Sequence, residues 1–162
     1  MACEYIEIDE IGHIAKDPVN IYIYEEPAVV VKILEEEGFG KAFLEFPAVL
    51  RGDSPNVTIV KAILKIKLLE SIAKEILRLH LRLWFIEVDG HVVGNAHVDF
   101  IGVAAGFPPI RHMPSHDIGR AMIVDVFLKR GYRVEYERCE GTFENFDGYV
   151  AKIFKRENKG SI

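Results

Sequence analysis

The chain has 162 residues, about half of them apolar and 28% charged, with a formal net charge of −5. That length suits one domain with one core, and the composition is globular, not disordered. Mild acidity without a basic run argues against nucleic acid as a partner, since its binders gather Lys and Arg to displace counterions from phosphates.

The two cysteines, Cys3 and Cys139, lie far apart and form no disulfide framework, so they are expected as reduced thiols of a cytoplasmic protein. The opening Met1-Ala2-Cys3-Glu4-Tyr5 puts a carboxylate where a signal peptide needs basic and then apolar residues. No apolar run approaches the ~18 residues of a membrane span, so no membrane partner is expected. The Lys-, Glu- and Ile-rich texture fits a thermophile. Residues 1–155 are read as a single domain and 156–162 as a flexible tail.

In chain order, residues 3–9 and 19–24 alternate in polarity and are read as strands. A helix is predicted over 27–37, with Pro27 in its first turn, Val30, Ile33 and Leu34 as its apolar stripe and Gly38 as its stop. Residues 41–50 follow as a strand. Over 56–79 the pattern is mixed: Ala62, Leu64 and Ile66 alternate with lysines, whereas Leu69, Ile72, Ala73, Ile76 and Leu77 recur at helical spacing. A strand and then a helix is the expectation there.

Two alternating runs, 81–88 and 91–100, flank Asp89-Gly90, the dipeptide of a two-residue type I′ hairpin turn. A Gly- and Pro-containing loop over 101–114 leads to a helix at 116–130, which Ser115 or Asp117 can cap and Gly131 ends. Strands at 132–139 and 149–155 close the domain. The order implies an α+β fold, mostly antiparallel sheet with helices packed on one face.

The turn fixes the hairpin register. Arg82 is expected opposite His97, Trp84 opposite Asn95 and His80 opposite Asp99, all on one face. The other face pairs Leu81 with Val98, Leu83 with Ala96 and Phe85 with Gly94. The first face is an ordinary solvated sheet face or a site. Its lone tryptophan, planar cation and amide groups are the means to hold a small aromatic acid. His97-x-Asp99 lacks the further ligands that a metal needs, and no metal is expected. His116 and Asp117 are read as helix-start residues, and Arg51-Gly52-Asp53 as a turn.

From Leu81-Arg82, seven residues ahead of the hairpin turn, the sequence resembles the chorismate lyase family and its uncharacterised relatives. Asp117-Ile118-Gly119-Arg120 stands where the family has Pro-Leu-Gly-Arg opening a helix. Leu128-Lys129-Arg130 and Arg133-Val134-Glu135 follow as its Leu-x-Arg and its strand with a Glu. The resemblance runs loosely from about residue 20 and is dense over 79–138. It implies a chorismate lyase-like fold with a small closed pocket for an aromatic carboxylic acid or chorismate, and no cofactor. It further implies that Arg82 holds a carboxylate, aided by the Ala28 and Ile118 amides at helix starts. Trp84, Asn95 and His97 would line the pocket.

Two departures stand out: Asp117 replaces the family's Pro, and the last strand lacks the Glu that serves the lyase reaction. Glu135 or Glu137 is the replacement proton donor to consider, Glu135 being the catalytic candidate beside Arg82. The expectation is therefore binding of an aromatic carboxylate, with lyase chemistry slow or absent. Two other readings stand beside it. One is a non-catalytic sensor of the same fold. The other is an acetyl-CoA-dependent N-acetyltransferase, which Asp89-Gly-His-Val-Val-Gly and Ile118-Gly-Arg-Ala also resemble, although an aspartate beside pyrophosphate is unfavourable.

Overall fold

The computed structural model describes residues 2–10, 12–39, 46–51, 58–62, 65–67, 77–102, 112–141 and 143–156. Its elements are β1 (Tyr5–Glu10), β2 (His13–Pro18), β3 (Ile21–Tyr24), α1 (Pro27–Glu36), β4 (Phe46–Arg51), β5 (Thr58–Ala62) and β6 (Lys65–Lys67). There follow β7 (Leu77–Val88), β8 (His91–Gly102), β9 (His112–Ser115), α2 (His116–Lys129), β10 (Arg133–Arg138) and β11 (Tyr149–Phe154). The α+β class holds, but the strands make two sheets where one was expected. A small sheet runs β2-β1-β4-β5, and a large one runs β10-β11-β3-β8-β7-β6 with β9 also on β8.

Pairing is antiparallel except between β3 and β11, which run parallel. The hairpin is as its turn dictates. Asp89 and Gly90 have φ of 51° and 80°, both left-handed as a type I′ turn requires. Arg82 pairs with His97, Trp84 with Asn95 and His80 with Asp99.

Both helices cover one face of the large sheet. Val30, Ile33 and Leu34 of α1 and Ile123, Val124 and Phe127 of α2 pack on Ile21, Ile23, Leu83, Phe85, Ala96 and Ile153. Each fully buried isoleucine or phenylalanine there contributes about 1.5–3 kcal/mol. This packing is what holds α1, a ten-residue helix with three consecutive valines and poor intrinsic propensity. The opposite face meets the small sheet: Ile86 and Val93 pack on Ile6, Ile8, Ala48 and Leu50. Helices, large sheet and small sheet thus form three layers.

Five expectations are corrected or bounded. The cysteines are not free thiols: Cys3 and Cys139 form a disulfide, their Cα atoms 4.8 Å apart. Leu77 begins a strand and does not end a helix, because the hairpin arm extends back to it; residues 68–76 of that expected helix lie outside the described residues. The expected strand before it divides into β5 and β6. Finally, the 101–114 loop is partly strand, since β8 reaches Gly102 and β9 pairs back on it; residues 103–111 lie outside the described ones. So does the tail beyond Arg156.

Candidate functional site

Strand β8 changes neighbours part-way along its edge. β3 pairs with it at Val92–Gly94 and β9 at Val98–Ile101, so the ladder is interrupted between them. Asn20, just ahead of β3, fills the interruption with its side chain. Its Oδ1 accepts from the Ala96 amide at 2.9 Å, and its Nδ2 donates to the Ala96 carbonyl at 2.8 Å and the His116 carbonyl at 2.9 Å. Fully buried, Asn20 does for Ala96 what a neighbouring strand would do.

A second buried amide sits next to it. Asn95 Nδ2 donates to the Pro18 carbonyl at 2.6 Å, and a carbonyl can only accept, so this bond orients the whole amide. The other Nδ2 hydrogen then points to His116 Nδ1, 3.0 Å away, and Oδ1 faces His97 Nδ1 at 2.7 Å. His97 must therefore carry its proton on Nδ1, while His116 Nδ1 must be an acceptor with the proton of the neutral ring on Nε2. All three side chains are buried, and the two imidazoles meet edge-on at 5.8 Å.

This polar cluster adjoins the start of α2, which is pinned against β8 at the same level. A Cβ on Gly119 would stand 2.5 Å from the His97 Cα and 2.7 Å from the Ala96 carbonyl carbon. Only glycine lets the helix come that close. The loop between β10 and β11 holds the helix from the other side. The His116 amide donates to the Asn145 carbonyl at 3.2 Å, and the Asp117 carboxylate accepts from the Asp147 amide at 3.0 Å. Arg120 grips Asp147 with two bonds of 2.6 and 2.8 Å and reaches the Tyr149 carbonyl at 2.6 Å. The Arg120 bond holds the Asp147 carboxyl below its usual range, and burial opposes this only in part. Arg120 itself stays charged: burial disfavours the cation, but Asp147 and Asp117 more than offset it.

The sequence candidates fall in four places. Asn95 and His97 are in the cluster, and Arg82 and Trp84 hold the paired register positions on β7. Ile118 is in the first turn of α2, where its amide is occupied by Ser115 Oγ at 3.3 Å. Ala28 is the second residue of α1, whose packed residues belong to the other face of the sheet. Glu135 lies on β10, the edge strand, paired with Arg133; β11, β3 and β8 separate it from β7. Four strand spacings are about 19 Å. The fold thus does not bring Glu135 to Arg82.

Sequence reading missed Asn20 and gave His116 only a helix-start role. An isolated Asn before a strand carries no signal of its own, because its partners are the backbone of residues more than seventy positions away. Among the described residues no three His, Cys, Asp or Glu side chains converge as a metal site needs, and no helix is long and apolar enough to cross a membrane. No family model matches the chain, and neither does any curated protein or solved structure.

Proposed function

We propose that this chain binds a small aromatic carboxylic acid on the β7–β8 face bearing Arg82, Trp84, Asn95 and His97, in a pocket of the chorismate lyase-like kind. The observation that carries the reading is the buried, internally bonded Asn95–His97–His116 cluster, whose His97 stands opposite Arg82 in the ladder. A buried polar cluster of fixed tautomer is costly in a core that needs only packing, and it suits a site that must orient a polar ligand. Arg82 is assigned the carboxylate, which it can hold through two parallel bonds.

The reading is binding without turnover. Elimination of the enolpyruvyl group needs a proton donor, and Glu135 sits at the far edge of the sheet. The acetyltransferase alternative fares worse, since the α2 start that would cradle pyrophosphate holds the Asp117 carboxylate and donates the Ile118 amide to Ser115. Cytoplasmic placement belongs to the same proposal. With the Cys3–Cys139 disulfide in place, that placement requires a hyperthermophile source, because other cytosols keep thiols reduced.

Titration calorimetry with 4-hydroxybenzoate tests the site. Arg82→Ala should weaken binding by roughly 1.5–3 kcal/mol, the scale of a charge-assisted bond. Equal affinity in the two proteins, or no binding to either, refutes the site. Release of pyruvate from chorismate would refute the absence of turnover.

A further inference from the structure

Away from that cluster, four planar side chains from four adjacent strands stand in a row. The Arg133 guanidinium of β10 lies 4.6 Å over the Phe154 ring of β11. Phe154 stacks on Tyr24 of β3 at 4.7 Å and 8°, and Tyr24 stacks on His91 of β8 at 4.8 Å and 28°. These intervals match the spacing of strands in a sheet, ~4.8 Å, so the sheet itself sets the stack. Since β10 is the edge strand, the row ends in Arg133, whose side chain is 62% exposed.

Along this row, from Tyr24 out to Arg133, lies a cavity of about 630 Å³, lined also by Tyr132, Phe154, Lys155 and Arg156. Its volume is in the range of small-molecule sites. Three cations meet at its rim in a chain whose net charge is −5. The carboxylates nearby are already engaged. Glu135 pairs with Arg133, and Glu25 is buried, accepting from the Tyr132 hydroxyl at 2.8 Å and the Glu26 amide at 3.0 Å, with Lys155 3.8 Å away. Burial and the bond to Glu25 push the Tyr132 hydroxyl up to about 12, so it is a fixed neutral wall of the cavity. Arg156 has no carboxylate partner among the described residues.

We propose that this cavity binds a mononucleotide: a flat heteroaromatic ring lies against the row of Tyr24, Phe154 and Arg133 that lines it, and its phosphate lies on Lys155 and Arg156. A guanidinium is the cation that stacks on a ring, and a row already stacked loses little freedom when one more ring is added. Neighbouring cations at the rim suit a phosphate dianion better than a single carboxylate. The chain's overall acidity opposes a polynucleotide, whose many phosphates need a broad basic surface.

The test is calorimetric titration of the full chain with AMP, with adenosine and inorganic phosphate as separate arms. AMP should bind saturably, and each fragment about tenfold more weakly or worse, because each makes half of the contacts. Arg133→Ala should weaken AMP about fivefold or more, and Arg156→Ala should act chiefly on the phosphate arm. Arg133→Lys keeps the charge but not the plane, so it should lose adenosine and keep phosphate. Arg82→Ala should leave AMP binding unchanged, which separates this site from the aromatic-acid site. No saturable AMP binding up to roughly 10 mM, or AMP affinity unaltered in both Arg133 variants, overturns the proposal.

Discussion

The two helices of this molecule start in opposite ways. α2 begins with Ser115 bonded to the Ile118 amide, Asp117 bonded to the Asp147 amide, His116 bonded at its amide, carbonyl and ring, and Gly119 pressed on β8. α1 begins on Pro27, and its cap residue Glu26 makes no side-chain cap hydrogen bond. Both helices bury an apolar stripe on the same sheet face, so packing alone does not call for the difference. What α2 has in addition is a residue, His116, that belongs to the buried polar cluster. A helix that only covers a core can be placed by its stripe, whereas one that positions an imidazole must be held at its first turn.

Substitutions at the two starts should therefore differ in kind. The largest effect is expected at Gly119. Glycine to alanine inside a helix ordinarily stabilises by about 1 kcal/mol. Here the new methyl meets strand backbone, which cannot rotate away, so Gly119→Ala should cost about 4 kcal/mol or prevent folding. A urea midpoint at or above that of the parent would mean that α2 is not seated on β8 as described. Next comes Asn20→Ala, which leaves both polar groups of Ala96 and the His116 carbonyl without their partner; about 3 kcal/mol is expected. Hydrogen exchange should show the Ala96 amide losing protection in that variant while Ile21 and Ile23 keep theirs. At the small end, Ser115→Ala should cost about 1 kcal/mol, and Glu26→Ala at the other helix less than about 0.5. Equal costs at those two positions, read from urea unfolding, would erase the contrast.

The parts that sequence could reveal are those governed by neighbours in the chain. Asp89-Gly90 and the alternation around it determine the pairing from Val88–His91 back to His80–Asp99, Arg82 with His97 among it, whereas the outermost pairs, Leu77–Gly102 to Leu79–Phe100, fall where the sequence reads as helical spacing. Ser115 and Gly131 bound α2 because capping and a left-handed stop are local events. Other features depend on meetings at long range. β2, whose six residues include a lysine, an aspartate and a proline, has little strand signature and forms because β1 pairs with it. That pairing, and that of β4 with β1, split the sheet in two. Gly119 was visible as one letter of a motif, but its reason, a helix lying on strand backbone, was not. The separation of Glu135 from Arg82 is likewise a matter of strand order, which adjacency in sequence does not encode.

The Cys3–Cys139 bond has a consequence of its own. It joins positions 136 residues apart, so most of the chain is a covalent ring from which only the segment after Cys139 and the first two residues hang free. In the chain-entropy view a closure of that size removes about 5 kcal/mol of freedom from the unfolded ensemble. It also changes what a break in the backbone means. One peptide bond cut anywhere between Cys3 and Cys139 opens the ring but releases no fragment, so the two pieces stay one molecule until a reductant separates them.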